Sequence, residues 1–212
     1  SSLAEGPPVL GPRVPADRRE TIVSACQVGA ALAASAVRKL SGGGRYLERW
    51  MGERGEPTKA KVRDMLNRVV DVLENAEVRQ GDPRMCRGGP ILGGMMAYVY
   101  YHPLGGQRSQ FHLLGRHVIH VCDLAFHGLY RSRLAGVLVH EATHHHGTRD
   151  HCYGRSASIG LAVSAPKAAQ NNADSYMHLI DDLTGLWGPR GDPLPHPECT
   201  TPCGAGEVDG AA

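Results

Sequence analysis

The chain has 212 residues with 23 basic and 21 acidic side chains, which gives a formal net charge of +2. This length supports one substantial hydrophobic core, and the near balance of charge, without a basic run, argues against a nucleic-acid partner. No segment has the ~18 consecutive apolar residues of a membrane span, and the start of the chain lacks the apolar core of a signal peptide. We therefore expect a soluble chain with no membrane partner, in which any export signal has been removed or was never present.

Both ends of the chain are rich in proline and glycine and show no hydrophobic periodicity. We expect a flexible segment over residues 1–15, one folded domain over 16–187 and a flexible tail over 188–212. The tail carries Cys199 and Cys203.

The first half of the domain is predicted to be helical. Residues 16–40 are rich in alanine and are followed by Ser-Gly-Gly-Gly at 41–44, through which a helix would not continue. A second helix is predicted over about 58–78, where apolar residues recur every three or four positions. We expect these two helices to pack against each other.

Strands and further helices follow. Residues 96–101 and 117–122 are β-branched and aromatic, with proline and glycine between them, as is typical of strands. Ser132 is positioned to cap a helix that Gly147 ends, and a last helix is predicted over 168–183. This order predicts an α+β fold that is mainly helical, with a small antiparallel or mixed sheet.

Residues 140–154 contain five histidines, two acidic residues and a tyrosine. His140 and His144 are four residues apart, so on a helix their rings lie on one face and can bind one metal ion. Glu141 would lie beside that ion, within reach of a water molecule bound to it. The HExxH spacing therefore predicts a zinc site with two histidine ligands and a general base.

A catalytic zinc site uses a third protein ligand and leaves one position for water. Asp150, six residues after His144, is the best-placed candidate, because Gly147 lets the chain turn back after the helix. The rival candidates are His145, His146, His151 and, from the following helix, Asp174.

Residues 147–154, Gly-Thr-Arg-Asp-His-Cys-Tyr-Gly, resemble the GTxDxxYG signature that follows HExxH in the aspzincin metallopeptidases. Further segments of the chain resemble the same family; they are Tyr46 with 50–52, 97–100, 119–122 with Phe126, and 172–176. The resemblance covers about residues 45–180. It implies a zincin-like metallopeptidase domain with His140, His144 and Asp150 as the zinc ligands, and it implies a disulfide between Cys86 and Cys122.

The resemblance also implies roles in catalysis and substrate binding. Tyr153 would donate a hydrogen bond to the oxyanion, although it could instead serve only in packing. Asp174 would line the pocket for the residue after the scissile bond and favour Lys or Arg there; the alternative is a carboxylate that orients a ligand histidine. The strand that contains Tyr98 and Tyr100 could pair with an extended substrate.

These features predict a secreted zinc endopeptidase. We expect an extracellular monomer with one Zn²⁺ per chain that acts on protein or peptide substrates, since the even number of cysteines favours disulfides and an exported protein. The spacing HExxHxxGxxD also fits a metzincin with an aspartate ligand, but Met177 lies in a predicted helix instead of a Met-turn. The sequence is further compatible with a bacterial toxin or effector domain that acts on one specific protein, and with a binding module without catalysis. The presence of Glu141 argues against the binding module, because a structural site needs no base.

Overall fold

The computed structural model describes residues 3–4, 11–87, 95–100, 112–113, 116–127 and 133–185. The predictions for Ser132 as a helix cap, and for Cys199 and Cys203 in the tail, concern residues outside these ranges. The division of the chain into two end segments and a central domain stays a prediction.

Helices form more than half of the described chain. They are α1 (Ala16–Lys39), α2 (Gly44–Met51), α3 (Glu56–Asn75), α4 (Pro83–Arg87), α5 (Leu134–His144), α6 (Arg155–Ser164), α7 (Pro166–Ala169) and α8 (Ala173–Thr184). The strands are β1 (Leu3–Ala4), β2 (Glu77–Gln80), β3 (Ala97–Tyr100), β4 (His112–Leu113) and β5 (Arg116–Val121). The mainly helical α+β class predicted from the sequence is confirmed.

The two long N-terminal helices pack against each other as predicted, with one correction at the end of α3. α3 ends at Asn75, whereas the apolar pattern predicted a helix up to about residue 78. Residues Glu77–Gln80 instead pair with β5. The prediction was wrong there because long-range strand pairing overrides a local helical preference.

The last predicted helix, 168–183, is divided into α7 and α8 by a break at Asn172. Asn172 forms an isolated parallel bridge with Arg149. The backbone N–H of Ala173 also donates to the Arg149 carbonyl at 3.0 Å. These contacts tie the loop after α5 to the start of α8, and they explain why a continuous helix does not form.

The sheet is small and mixed, within the range predicted. Its strand order is β1-β3-β5-β2, and β4 forms a further pair with β5. β3 and β4 are antiparallel to β5, β2 is parallel to β5, and β1 is parallel to β3. β3 consequently has a neighbouring strand on each side.

Part of the N-terminal segment that was expected to be flexible is included in this sheet. Leu3 is in register with Val99, and Ala4 with Tyr100. Further along, the Gln80 N–H donates to the Pro12 carbonyl at 3.0 Å. These residues therefore have regular backbone partners that their composition did not predict.

α1 is packed against α3, α5 and α8. A Cβ on Gly29 of α1 would lie 2.9 Å from Leu73 and 3.2 Å from the Ala135 carbonyl oxygen, so glycine permits the close approach that fixes α5. Residues Ala16–Gly42 are also long and apolar enough, by length and composition alone, to cross a membrane. A core helix meets the same criteria, and the absence of a membrane partner stays a prediction.

The predicted disulfide between Cys86 and Cys122 is present. It joins α4 to the residue that follows β5, with the two Cα atoms 5.7 Å apart. The bridge closes a loop with a sequence separation of 36 residues.

Candidate active site

The end of α5 and the loop that follows it bring together the residues of the HExxH segment. After His144 the backbone closes one more turn, in which the His146 N–H donates to the Thr143 carbonyl at 2.9 Å. Gly147 then adopts a φ of 104°, a conformation that favours glycine. The chain reverses there, as predicted, and Asp150 returns towards the face of α5 that carries the two histidines.

Three side-chain donor atoms converge at this point. His140 Nε2 is 3.0 Å and His144 Nε2 is 3.3 Å from Asp150 Oδ1, and the two Nε2 atoms are 3.2 Å apart. Ligand atoms about 2.0–2.1 Å from a tetrahedral zinc ion lie roughly 3.3 Å from each other. The spacing and the chemistry of the three donors therefore fit a zinc ion.

Both imidazole rings are oriented by hydrogen bonds on the opposite side from these donors. His140 Nδ1 donates to Asp174 Oδ1 at 2.7 Å, and His144 Nδ1 donates to the Thr148 carbonyl at 3.0 Å. A proton held at Nδ1 leaves the Nε2 lone pair available for a metal ion. The rings are therefore fixed in the tautomer that zinc ligation requires.

Glu141 lies next to the three donors and is 2% exposed. Among the described residues, its buried Oε2 atom has no hydrogen-bond partner. Burial raises the pKa of Glu141 to about 7. This carboxyl is thus held in a buried setting with an oxygen available to a water molecule or substrate.

Tyr153 covers the His140 side of the site. Its ring is stacked on the His140 ring, with the centroids 6.0 Å apart and an angle of 16° between the planes. Burial and the neighbouring Asp150 carboxylate, to which the hydroxyl donates a hydrogen bond, raise the pKa of Tyr153 well above its usual value. The hydroxyl therefore stays protonated and can act as a hydrogen-bond donor.

Comparison with known families agrees with this site. The family model described as lysine-specific metallo-endopeptidase, that of the aspzincins, matches residues 36–179, which is more than half of the chain. The chain belongs to the aspzincin family. The match includes the three donor residues, Glu141 and Tyr153.

Two relatives illustrate how far the similarity extends. Over 50 residues this aspzincin is 42% identical to the peptidyl-Lys metalloendopeptidase of Armillaria mellea, an alignment that spans 22% of this chain and only 14% of that protein. The zinc peptidase from Grifola frondosa superposes with a TM-score of 0.61 at 18% identity, over 80% of this chain and 97% of that one. The second comparison confirms the predicted zincin-like fold.

Asp174, predicted either to line the pocket for the residue after the scissile bond or to orient a ligand histidine, lies beside His140. One carboxylate oxygen accepts the hydrogen bond from His140, and the other accepts one from the Gly154 N–H at 2.6 Å. The side chain is 6% exposed. Although burial opposes its ionisation, the hydrogen bond from His140 keeps the pKa of Asp174 below its usual value. These contacts favour the second of the two roles that the sequence allowed, a carboxylate that orients His140.

Tyr98 and Tyr100, which were predicted to bind substrate, lie inside the protein. Both are buried, and the Tyr98 hydroxyl accepts a hydrogen bond from the Asp82 N–H at 2.9 Å while its ring stacks on His120. β1 pairs with β3 at Tyr100. The expected substrate-pairing position on β3 is thus occupied by another strand, and the tyrosine rings pack inside the protein.

The three histidines that were rival ligand candidates, His145, His146 and His151, are not part of the group of converging donors. In the part of the chain that the structure describes, the group of histidine, cysteine and acidic residues with donor atoms all within 4.8 Å is His140, His144 and Asp150. His145 and His146 contact the ring of His117 instead, and His151 is exposed.

Two residues that sequence analysis did not single out hold the loop that carries Asp150 in place. Asn172 is fully buried, and its side-chain oxygen accepts hydrogen bonds from the His151 and Cys152 N–H groups at 3.0 and 3.3 Å. Thr148 orients His144 through its carbonyl, and its hydroxyl lies 2.6 Å from that of Thr143. The sequence signal for Asn172 was its position at the start of a segment that resembles the family.

Proposed function

We propose that this aspzincin is a zinc-dependent endopeptidase that hydrolyses peptide bonds in protein or peptide substrates. The observation that carries the proposal is the convergence of His140 Nε2, His144 Nε2 and Asp150 Oδ1 at 3.0–3.3 Å beside the buried Glu141 carboxyl. Membership of the aspzincin family supports the same function. One zinc ion per chain would be held by these three residues.

The residues around these donors can perform the steps of hydrolysis. A bound zinc ion supplies Lewis acidity, which polarises a peptide carbonyl and makes water a stronger acid. Glu141 accepts the proton of the attacking water and returns it to the leaving amine nitrogen. The Tyr153 hydroxyl donates a hydrogen bond to the carbonyl oxygen as that oxygen gains negative charge. Asp174 keeps His140 in the required tautomer and orientation.

We propose a preference, not a strict requirement, for Lys or Arg after the scissile bond. The description of the family model and the name of the Armillaria relative support this preference. Asp174 contributes little to it directly, because both of its oxygens are engaged by His140 and Gly154. Met177, one turn further along α8, is uncharged, so we expect selection for a basic side chain to be weak.

We also propose that the enzyme acts outside the cell as a monomer. The Cys86–Cys122 bridge supports the location, because disulfides form and persist in oxidising compartments. The proposal involves neither a nucleic-acid nor a membrane partner.

The activity is tested with casein, using protein stripped with a chelator and then restored with one equivalent of Zn²⁺. We expect no casein cleavage by the stripped protein and recovery of cleavage when zinc is added. Lys and Arg should be enriched at the position immediately after the cleaved bond. Restored zinc binding without casein cleavage would contradict a general endopeptidase and would favour action on one specific protein.

A further inference from the structure

A second group of histidines lies outside the proposed catalytic site. We name it the His117 cluster, and it consists of His117, His145 and His146. The ring centroids of His117 and His145 are 4.5 Å apart, and those of His117 and His146 are 5.5 Å apart. The corresponding separation for His140 and His144 is 4.9 Å. Two imidazoles that bind one tetrahedral ion have ring centres roughly 5 Å apart, so both spacings in the cluster are close to those of a ligand pair.

The backbone positions of the cluster are well defined. His145 and His146 lie in the turn between the end of α5 and Gly147, which is closed by the hydrogen bond between the His146 N–H and the Thr143 carbonyl. His117 lies in β5, where β4 and β2 flank the strand. In the backbone register, β4 pairs with β5 at His117.

The cluster lies near charged side chains of α3 and is open to solvent. Arg68, Asp64 and Asp71 all act on His146, and Arg68 has the largest effect of the three. The ion pair of Arg68 with Asp64, at 2.9 Å, offsets part of that positive charge. His117 and His146 are partly exposed, which gives an ion access from solvent.

We propose that the His117 cluster is a second metal site that binds a borderline divalent transition-metal ion, such as Zn²⁺, through imidazole nitrogens. Neutral imidazole is a preferred ligand of zinc, copper and nickel. The side chains of the cluster would have to rotate to bring their donor atoms to a common ion, whereas the donors of His140, His144 and Asp150 already lie within 4.8 Å of one another. The second site therefore fills after the first and with lower affinity, and a bound ion ties β5 to the turn after α5.

The proposal is tested by titrating chelator-stripped protein with Zn²⁺ in a calorimeter and measuring zinc per chain after gel filtration. We expect two binding events in the wild type. The double variant His117→Gln/His146→Gln should keep the tight event and lose the weaker one, or weaken it at least about tenfold, which is the lower end of the cost of removing only an outer-shell partner of a metal ligand. The matched control is His127→Gln, which changes an exposed histidine outside the cluster and should retain both events.

Zinc binding at the tight site also shows whether a variant is folded, because this binding needs the proposed ligands on α5 to be in place. If the double variant does not fold, the single variant His146→Gln alters a partly exposed side chain and gives the same comparison. Saturation of the wild type at one zinc overturns the proposal whatever the variants do. Persistence of the weaker event in the variants, or its loss in His127→Gln, places the second ion elsewhere and also overturns it.

Discussion

Substitution of Asp174 by asparagine separates the two roles that the sequence allowed for this residue. Asparagine has the same shape but no charge, and it presents one oxygen and one NH₂ group where the carboxylate presents two acceptors. If its oxygen accepts from His140 Nδ1, its NH₂ group faces the Gly154 N–H, which the structure places 2.6 Å from a carboxylate oxygen. Two donors then oppose each other in a buried position.

The expected effect is a loss of zinc affinity. Loss of a partner that orients a ligand histidine typically weakens metal binding by 10–100-fold, or about 1.4–2.7 kcal/mol. A charge-assisted hydrogen bond is worth about 1.5–3 kcal/mol, which agrees with that range. Competition with a chromophoric chelator measures the zinc dissociation constant, and a peptide library digested by zinc-saturated enzyme measures cleavage preference in parallel.

Asp181→Asn is the matched control. Asp181 lies on the same helix and is 9% exposed, but its carboxylate is paired with His178, at 3.7 Å, instead of with a proposed ligand. We expect its zinc affinity to match the wild type. If Asp174→Asn keeps wild-type zinc affinity while the preference for Lys or Arg disappears, the orienting role is wrong and the substrate-pocket role is correct.

Three further predictions concern stability and the surroundings of the site. Replacing Cys86 and Cys122 by serine should lower the free energy of unfolding by about 4 kcal/mol, which is the loop-entropy value for a separation of 36 residues. Urea denaturation measures this free energy, and an unchanged value would contradict the prediction. Gly147→Ala should lower the free energy of unfolding by about 1–3 kcal/mol, because alanine is strained at a φ of 104°. It should also weaken zinc binding by displacing Asp150. A thermal midpoint equal to that of the wild type would show that the turn tolerates a Cβ. Tyr153→Phe should lower kcat by about 10²–10³ with zinc content unchanged, whereas an unchanged kcat would leave Tyr153 only a packing role.

The convergence of His140, His144 and Asp150 could be predicted because its geometry is local. His140 and His144 share a face of α5 through the helical repeat, and a glycine at position 147 is sufficient to turn the chain towards Asp150. The same locality predicted the start of α1 and the strands β3 and β5.

Features that depend on long-range packing could not be predicted in this way. The orientation of Asp174 depends on how α8 crosses α5, and a carboxylate on that helix could equally have faced a pocket. β2 was interpreted as the end of a helix because its partner, β5, is about forty positions further along the chain, with Glu77 in register with Val118. The burial of Tyr98 and Tyr100 follows from the pairing of β3 with both β5 and β1, and local sequence carries no signal for a partner strand at residues 3–4.

The central claim, that Glu141 acts as the base in a zinc peptidase, is tested most directly by Glu141→Gln with zinc and activity measured on the same sample. Glu141 is not among the three converging donors, so the variant should bind one zinc per chain as the wild type does. We expect peptide hydrolysis to fall by about 10²–10⁴-fold, the usual contribution of a general base, while Glu74→Gln on the exposed face of α3 stays at the wild-type rate. Hydrolysis by zinc-loaded Glu141→Gln at a rate close to that of the wild type would contradict the account.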